Sequence, residues 1–168
     1  MPLSAPEPLA PDHDLAAFSC GRIALDNWLR TRARSNQDKG FSVVVVVHED
    51  RRVVGFYALA PTAISPSVVP RSVRTGQPPD PLPCLLLGQL AVDLAWAGRG
   101  IGAGLVAHAF TRAAIGARLV GGRALLVHAS DEAAAAFWRR HGFTPARDTP
   151  HTLFRSMADL VASVADAG

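Results

Sequence analysis

The stretch that decides the fold is Leu87-Gly88-Gln89-Leu90-Ala91-Val92-Asp93, followed by Ala97-Gly98-Arg99-Gly100-Ile101-Gly102-Ala103-Gly104 and then by a helical pattern from Leu105 towards Ala117. An apolar run that leads through glycines into a helix is typical of a strand that delivers backbone amides to a helix N-terminus. Glycine allows positive φ and lets a ligand approach the backbone, and the helix dipole adds a positive end. The stretch therefore predicts a phosphate-binding turn, with a merely flexible turn before a helix as the alternative.

Two common nucleotide-binding patterns are excluded in this stretch. The dinucleotide pattern G-x-G-x-x-G fails because its last position is Ala103 when read from Gly98, and Leu105 when read from Gly100. The nucleoside triphosphate pattern fails because no Gly-Lys-Ser/Thr follows the glycines. A phosphate cradle of a different class is predicted.

Length and composition predict one domain over residues 1–168, since 168 residues of which 49% are hydrophobic suffice for one core. No apolar run reaches the length of a membrane span, and the acidic, proline-rich residues 1–14 do not resemble a secretion signal. We therefore expect a cytoplasmic protein with no membrane partner. Cys20 and Cys84 are too few for a disulfide framework or a zinc cluster, so no metal site is predicted.

Hydrophobic periodicity and turn residues divide the chain into alternating helices and strands. An extended lead-in covers residues 1–14. The predicted order is a helix over 23–37, a hairpin of strands 41–48 and 53–59 with a bulge at Gly55, an irregular loop over 61–83, strand 85–92, a helix to about Arg118, strand 123–129, helix Ala133–His141 with Ser130 as N-cap, and closing strands at 143–145 and 152–155. This order predicts an α/β fold, a mixed sheet flanked by helices.

Positive charge is concentrated in two places, although the formal net charge is only +3. Clustered cations would assist binding of a polyanion, but a solvated helix face is the favoured interpretation of the charge alone. The residues predicted to contact nucleic acid are Arg30, Arg32, Arg34 and Lys39 around the first helix and Arg71 and Arg74 in the long loop.

The glycine turn, the strand before it and a later unit Phe137-Trp138-Arg139-Arg140-His141-Gly142-Phe143 together resemble the GNAT acetyltransferase superfamily. The family motif Gln/Arg-x-x-Gly-x-Gly/Ala is matched by Ala97-Gly98-Arg99-Gly100-Ile101-Gly102 at both small positions but not at the first. The resemblance implies acetyl-coenzyme A as cofactor, its pyrophosphate on the glycine turn, and central strands that splay so that the pantetheine pairs with exposed backbone. The cofactor-binding residues it implies are Leu90, Ala91, Val92, Gly98, Arg99, Gly100, Ile101, Gly102, Ala103, Gly104 and Phe137.

A narrower resemblance, to the GNAT toxins of bacterial toxin-antitoxin pairs, extends over most of the chain. Its segments are Leu9–Leu15, Phe18–Gly21, Leu25–Leu29, Asn36–Gly40, Gly55–Leu59 and Leu126–Ala129. Those toxins acetylate the α-amine of aminoacyl-tRNA, halt translation and are neutralised by a ribbon-helix-helix antitoxin. The same activity and partners are implied here, and a homodimer is compatible with them.

Trp138 is the main departure from that toxin group. Many members have a tyrosine at this catalytic position, proposed to protonate the departing thiolate, and an indole N–H cannot do so. Three explanations stay open: the acid step is dispensable, another group supplies it, or the protein is impaired. The acid is less critical because a thiol near pKa 8.5 leaves as thiolate at modest cost, and an α-amine of pKa about 7.7 to 8.0 is partly neutral at pH 7.

Two other functions stay open. One is a GNAT enzyme that acetylates a small-molecule or protein amine, for which the basic helix would be incidental. The other is an inactive GNAT domain that acts as a regulatory binding partner, an option kept open by Trp138. Two side chains have both a structural and a functional interpretation. His128 is either a hydrogen-bonded structural histidine or a proton acceptor. Tyr57 is either a core residue or part of the acceptor pocket.

Overall fold

The computed structural model describes residues 2–74 and 76–167. Twelve helices and strands and two short 3-10 turns occur in this part of the chain. In order they are β1 Glu7–Pro8, α1 Ile23–Thr31, α2 Ala33–Asp38, β2 Val43–Glu49, β3 Arg52–Ile64, a 3-10 turn Pro66–Val68, β4 Leu82–Val92, a 3-10 turn Leu94–Trp96, α3 Ile101–Val120, β5 Ala124–His128, α4 Glu132–Arg140, β6 Thr144–Pro145, β7 Thr152–Ser156 and α5 Met157–Ala167.

The strands form one seven-stranded mixed sheet in the order β1-β2-β3-β4-β5-β7-β6. Strands β2 and β3 are the predicted antiparallel hairpin, and β5 pairs antiparallel with β7. The described parallel pairs between β4 and β5 are Leu85 with Leu125 and Leu86 with Leu126. The mixed sheet with flanking helices is confirmed, whereas a splay of β4 from β5 beyond these pairs stays a prediction.

Two compact units divide the chain: the residues up to Ala60 together with Gln89–Ala109, and Pro61–Gly88 together with the residues from Phe110 onward. Strands β3 and β4 and helix α3 each run through both units. This continuity supports the single domain over residues 1–168, which stays a prediction.

The core of the first unit lies between the β2–β3 hairpin and the first helices. Val44 and Val46 alternate with the other β2 valines to face Phe18, Leu29 and Phe56 in one buried cluster. Trp28 adds its ring to the cluster by stacking on Phe56, with centroids 6.1 Å apart and planes 7° from parallel. Trp28 is therefore a packing residue of this core.

An irregularity in the hairpin lets α3 approach the sheet closely. The register passes from Val47–Gly55 to His48–Val53, so Val54 is the extra residue, directly beside the predicted bulge at Gly55. A Cβ on Gly55 would lie 3.1 Å from Ile101 Cγ2 and 3.1 Å from Leu105 Cδ1. Glycine permits this close approach, since an added Cβ would require the side chains of Ile101 and Leu105, or α3 itself, to shift by a few tenths of an ångström.

The second unit has its own buried cluster. Leu126 of β5 and Phe154 of β7 pack with residues of the long loop and β4, including Val69, Val73 and Leu82. The loop predicted as irregular is therefore held down by two buried valines, although its first residues extend β3 to Ile64 and its last residues start β4 at Leu82.

Three predictions of local structure are wrong, and one element was not predicted. The single helix over 23–37 breaks at Arg32 (φ −123°, ψ −25°) into α1 and α2. The lead-in contains β1, because Glu7 pairs with Val46. The N-cap of α4 is Asp131, whose Oδ1 accepts the Ala134 N–H at 2.8 Å, rather than Ser130. The chain after β7 forms α5, which was not predicted.

Candidate active site

The glycine turn forms a cradle of open backbone at the start of α3. Gly98 and Gly100 have φ of +77° and +81°, and no other described heavy atom lies within 4 Å of the place where a Cβ on either residue would stand. Helix α3 begins at Ile101 with no acidic residue in its first turn. The first N–H groups of a helix have no intrahelical partner, so those of α3 are available to an anion.

The segment between β4 and the cradle is fixed by Asp93. Its Oδ1 accepts the Ala95 N–H at 2.9 Å and its Oδ2 accepts the Ser19 N–H at 3.0 Å. Its own backbone N–H donates to Val54 O at 2.8 Å. Val92 closes the other side, since its Cγ2 lies 3.7 Å from the position of a Cβ on Gly102. The predicted residues Leu90–Val92 and Gly98–Gly104 therefore belong to one local structure in the first unit.

Arg99 supplies the positive charge of the cradle and lies over the ring of Trp96, with Cζ 4.5 Å from the ring centroid. This cation–π contact limits the freedom of an otherwise exposed guanidinium. The contact of Trp96 with Arg99 was not predicted from the sequence; the three-residue spacing of an aromatic residue and a cation was the available signal.

The cradle fits the pyrophosphate of coenzyme A. Positive φ at two glycines turns backbone amides towards open space, Arg99 supplies a cation, and the first turn of α3 carries no carboxylate to repel an anion. Helix α4 contrasts with it, because Asp131 caps its N-terminus and Glu132 follows in the first turn. Anion binding is thus favoured at α3.

Phe137 and Trp138 lie on α4 in the second unit. Trp138 is 7% exposed and packs edge-on against Phe137 and Phe143, with centroids 5.0 and 5.2 Å away. The indole therefore has the surroundings of a core residue, and it offers no proton that titrates near neutral pH.

His141, one turn after Phe137, is the nearest titratable neighbour of this aromatic cluster. Its ring lies 4.6 Å from that of Phe137 and 6.3 Å from those of Trp138 and Phe110. Burial lowers the pKa of His141, and the charges of Arg140 and Arg155 lower it further. The lowered pKa favours the neutral form of the ring, which packs among aromatic side chains.

His128 and Tyr57 differ in exposure. His128 is exposed at the end of β5, with Nδ1 3.3 Å from Thr152 Oγ1. Tyr57 is fully buried, and its hydroxyl lies 2.6 Å from Nδ1 of His108 on α3. The burial of Tyr57 favours the core interpretation, while its hydrogen bond to α3 was not foreseen.

The cations predicted to bind RNA have different surroundings. Arg30 donates to Phe18 O at 2.5 Å, and the half-buried Arg34 donates to the carbonyl oxygens of His13 and Pro11. Within the described part of the chain, the side chains of Arg32 and Lys39 make no hydrogen bond or ion pair and are exposed. Arg71 is exposed and Arg74 is half-buried in the second unit. RNA binding by these six residues stays a prediction.

Glu7, His13 and His48 offer three potential metal ligands within 4.8 Å of one another. Both Nε2 atoms lie close to Glu7 Oε1, at 2.9 and 2.7 Å, while the Nδ1 atoms accept the backbone N–H groups of Ala10 and Arg51. In a neutral imidazole whose Nδ1 accepts, Nε2 carries the proton. The ring nitrogens facing Glu7 are therefore donors, the opposite of what metal ligation requires. We interpret the cluster as a hydrogen-bonded clasp on β1.

Neither cysteine has the lowered thiol pKa that is typical of a reactive cysteine. Burial raises the pKa of the Cys20 thiol, with a further contribution from Asp26, and burial raises that of Cys84. Both cysteines are free thiols, half-buried and buried respectively. These properties favour the structural interpretation of both residues.

A mixed sheet whose fourth strand leads into a glycine cradle at a helix N-terminus defines an α/β protein with a binding site for a phosphate group. Residues 40–145 match the acetyltransferase (GNAT) domain model. The chain belongs to the GNAT family of acetyltransferases, whose acetyl donor is acetyl-coenzyme A. None of the described helices is long and apolar enough to cross a membrane.

Individual relatives resemble the chain over nearly its whole length. It is 40% identical over 163 residues to a tRNA-acetylating toxin of Mycobacterium tuberculosis (strain ATCC 25618 / H37Rv), which covers 97% of this chain and 98% of the relative. The structure of AtaT complexed with acetyl-methionyl-tRNAfMet has a TM-score of 0.87 at 28% identity, covering 96% of this chain and 99% of AtaT. A mutant AtaT bound to the C-terminus of the antitoxin AtaR and acetyl-CoA has a TM-score of 0.81 at 28% identity, covering 98% and 99% of the two chains.

Proposed function

We propose that this chain is a toxin that transfers the acetyl group of acetyl-coenzyme A to the α-amine of an aminoacyl-tRNA and thereby blocks translation. The observation that carries the proposal is the 40% identity, over 97% of the chain, to a protein named for tRNA acetylation. The similarity of fold to a toxin complexed with an acetylated aminoacyl-tRNA supports the same substrate class.

The cradle binds and orients the donor. Amides at Gly98–Gly104 and the guanidinium of Arg99 hold the pyrophosphate, while the end of β4, Leu90–Val92, and Phe137 are the residues proposed along the rest of the cofactor. Acetyl-coenzyme A supplies a thioester whose carbonyl carbon accepts a nucleophile. Fixing that carbonyl converts a bimolecular encounter into a reaction of positioned groups, which can supply much of the rate.

The acceptor chemistry suits an α-amine. The attacking nitrogen must be neutral, and an α-amine of pKa about 7.7 to 8.0 is partly neutral at pH 7, whereas a lysine amine near 10.4 is almost wholly charged. An α-amine can therefore react without a dedicated strong base. His128 stays a candidate proton acceptor, because it is exposed at the end of β5.

Trp138 changes the last proton transfer. In direct attack the amine nitrogen forms a bond to the acetyl carbon, the carbon–sulfur bond breaks, and the amine loses one proton to water. Trp138 cannot protonate the leaving sulfur, so the sulfur departs as thiolate and takes a proton from water afterwards, unless another group of the site supplies that proton. Since the thiol has a pKa of about 8.5, departure as thiolate is feasible, at a rate below that of an enzyme with a tyrosine.

The proposal includes two protein partners and a location. A ribbon-helix-helix antitoxin would neutralise the toxin, which is supported by the complex of AtaT with the C-terminus of AtaR. A homodimer is compatible with the activity. Because charged tRNA is a cytoplasmic substrate, we place the protein in the cytoplasm.

The deciding experiment is mass analysis of total aminoacyl-tRNA after incubation with the protein and acetyl-coenzyme A. We expect an added acetyl group on the amino acid of at least one tRNA species, and none when the cofactor is left out. Turnover of small amines that is insensitive to salt would instead support the second enzyme function, because RNA capture weakens steeply with ionic strength. Acetyl-coenzyme A binding with no transfer to any amine would support the inactive regulatory domain, which Trp138 keeps open.

A further inference from the structure

A shallow groove in the first unit lies where α2 ends and the chain turns into β2. Its volume is about 420 Å³. Every lining residue is cationic, polar and uncharged, or aromatic; these residues are Thr31, Arg32, Ser35, Asn36, Lys39 and Phe41. We call it the Phe41 groove.

The backbone of Phe41 is held rigidly although its ring is exposed. Gly40 has φ +77°, the Gly40 N–H donates to Gln37 O at 3.0 Å, and the Phe41 N–H donates to Asn36 O at 2.9 Å. This is the Schellman ending of a helix, in which the residue after the glycine usually packs an apolar side chain against the last turn. Here the corresponding residues of that turn are Ser35 and Asn36, and Phe41 stays 62% exposed.

The turn is also anchored from the side by Gln37. Its Nε2 donates to Leu9 O at 2.9 Å, and its Oε1 accepts the Val44 N–H at 2.9 Å. The exposed ring is thus attached to a segment fixed on both sides by backbone contacts. An exposed aromatic side chain on a fixed backbone is a platform for stacking, since little backbone entropy is lost when a flat group settles on it.

Two cations complete the groove. Arg32 immediately precedes α2 and Lys39 immediately follows it, and both side chains line the groove. The neighbouring Arg30 and Arg34 are engaged with backbone carbonyls, whereas Arg32 and Lys39 make no such contact in the described part of the chain. Cations beside an exposed aromatic ring are the combination that binds single-stranded nucleic acid.

We propose that the Phe41 groove binds an unpaired nucleotide of RNA, with the base stacked on Phe41 and the flanking phosphates paired with Arg32 and Lys39. An unpaired nucleotide is required because a base inside a duplex has both faces covered by its neighbours. The inference deepens the proposed function, on which it rests for the identity of the RNA as tRNA.

The test is equilibrium binding of fluorescein-labelled deacylated RNA in the absence of acetyl-coenzyme A. The probes are a mixed-sequence single strand of about eight nucleotides, a blunt duplex of the same length, and whole tRNA. Phe41→Leu should weaken binding of the single strand about 5- to 140-fold and leave binding of the duplex nearly unchanged. Phe41→Tyr keeps a stacking ring and should bind like the wild type.

Charge and exposure are controlled separately. The pair Arg32→Ser and Lys39→Ser should reduce the slope of log affinity against log salt by about 1.4, from roughly 0.7 per phosphate contact of a single strand. Arg147→Ser, an exposed cation of the second unit, and Ile23→Ala, an exposed aliphatic residue of the first, should leave groove binding unchanged. Circular dichroism and a melting curve verify that each variant is folded.

Three results would overturn the inference. Phe41→Leu and the serine pair could bind the single strand as tightly as Arg147→Ser does. Phe41→Leu could reduce the affinity for the duplex as much as it reduces the affinity for the single strand. An oligoglutamate peptide could compete with a dependence on Phe41 equal to that of RNA, which would indicate a protein partner. Failure of acetyl transfer to aminoacyl-tRNA by the wild type refutes the proposed function alone, because groove binding is measured without charged tRNA or cofactor.

Discussion

Gly55 sets the distance between β3 and the helix that carries the cradle, so Gly55→Ala tests the link between packing and donor binding. The added Cβ would stand 3.1 Å from Ile101 Cγ2 and from Leu105 Cδ1, and 3.6 Å from Ala91 O. Carbon atoms in good contact are about 3.5 to 4.0 Å apart. Helix α3 or its side chains must therefore move by about 0.4 to 0.9 Å.

The cost follows from that overlap. Adding a methylene-sized group to a well-packed site costs about 1 to 3 kcal/mol. For a chain of this length, such a loss lowers the melting temperature by about 2 to 12 °C. Ile101 is the first residue of α3, so the same movement displaces the cradle amides, and weakening one hydrogen bond to a charged phosphate reduces acetyl-coenzyme A affinity about tenfold.

The assay combines thermal unfolding with calorimetric titration of acetyl-coenzyme A. Gly116→Ala is the matched control: it lies on the same helix, a Cβ there would meet Leu85 Cδ1 at an ordinary 3.7 Å, and replacing a helical glycine by alanine stabilises by up to about 1 kcal/mol. If Gly55→Ala has wild-type stability and affinity, Gly55 does not set the position of α3, and our account of the cradle geometry is wrong.

Three further predictions concern single side chains. Trp138→Tyr restores an ionisable hydroxyl and should raise the rate of acetyl transfer by about 100-fold or more, while Trp138→Phe should not; an unchanged steady-state rate would contradict the missing-acid explanation. Hydrogen bonds from two histidines lower the pKa of Glu7, so ionised Glu7 stabilises the folded state. This stabilisation is complete above about pH 4.5 and is lost as the pH falls through the lowered folded-state pKa. The urea midpoints of wild type and Glu7→Gln should therefore differ at pH 7 and converge in acid, and a difference that stays constant with pH would refute the assignment. Arg34→Ala removes the hydrogen bonds to the His13 and Pro11 carbonyls and should cost about 1.5 to 3 kcal/mol in unfolding free energy while the salt slope of RNA binding stays at its wild-type value.

The cradle could be predicted from the sequence because its determinants are local. An apolar strand, glycines that adopt positive φ and a helix start lie within twenty consecutive residues, 85–104, and each follows from residue type alone. The bulge beside Gly55 could be predicted for the same reason, since a glycine inside a strand pattern indicates a bulge or the close approach of another part of the chain. The structure adds that both apply at once.

Elements that depend on distant partners escaped prediction. Strand β1 has two residues and exists because Glu7 pairs with Val46, far along the chain. The break between α1 and α2 falls at Arg32, where no glycine or proline marks it. Ser130 and Asp131 are both good caps, and only the geometry after β5 decides that Asp131 takes the role. Of these three, only β1 is explained by a distant partner, which no local sequence pattern indicates.

The cations around the first helices are where the structure changes the functional interpretation of the sequence most. The composition of the first helical region correctly indicates several cations, but helical spacing does not reveal that Arg34 reaches carbonyls more than twenty residues upstream. A guanidinium held by such carbonyls stabilises the fold, and moving it onto a phosphate would leave those carbonyls without their donor. The side chains of Arg32 and Lys39 donate to no carbonyl among the described residues, and the exposed ring of Phe41 lines the same groove. Two single substitutions, one of Arg32 and one of Arg34, therefore separate the two roles. The Arg32 variant should lose RNA affinity, and the Arg34 variant should lose stability.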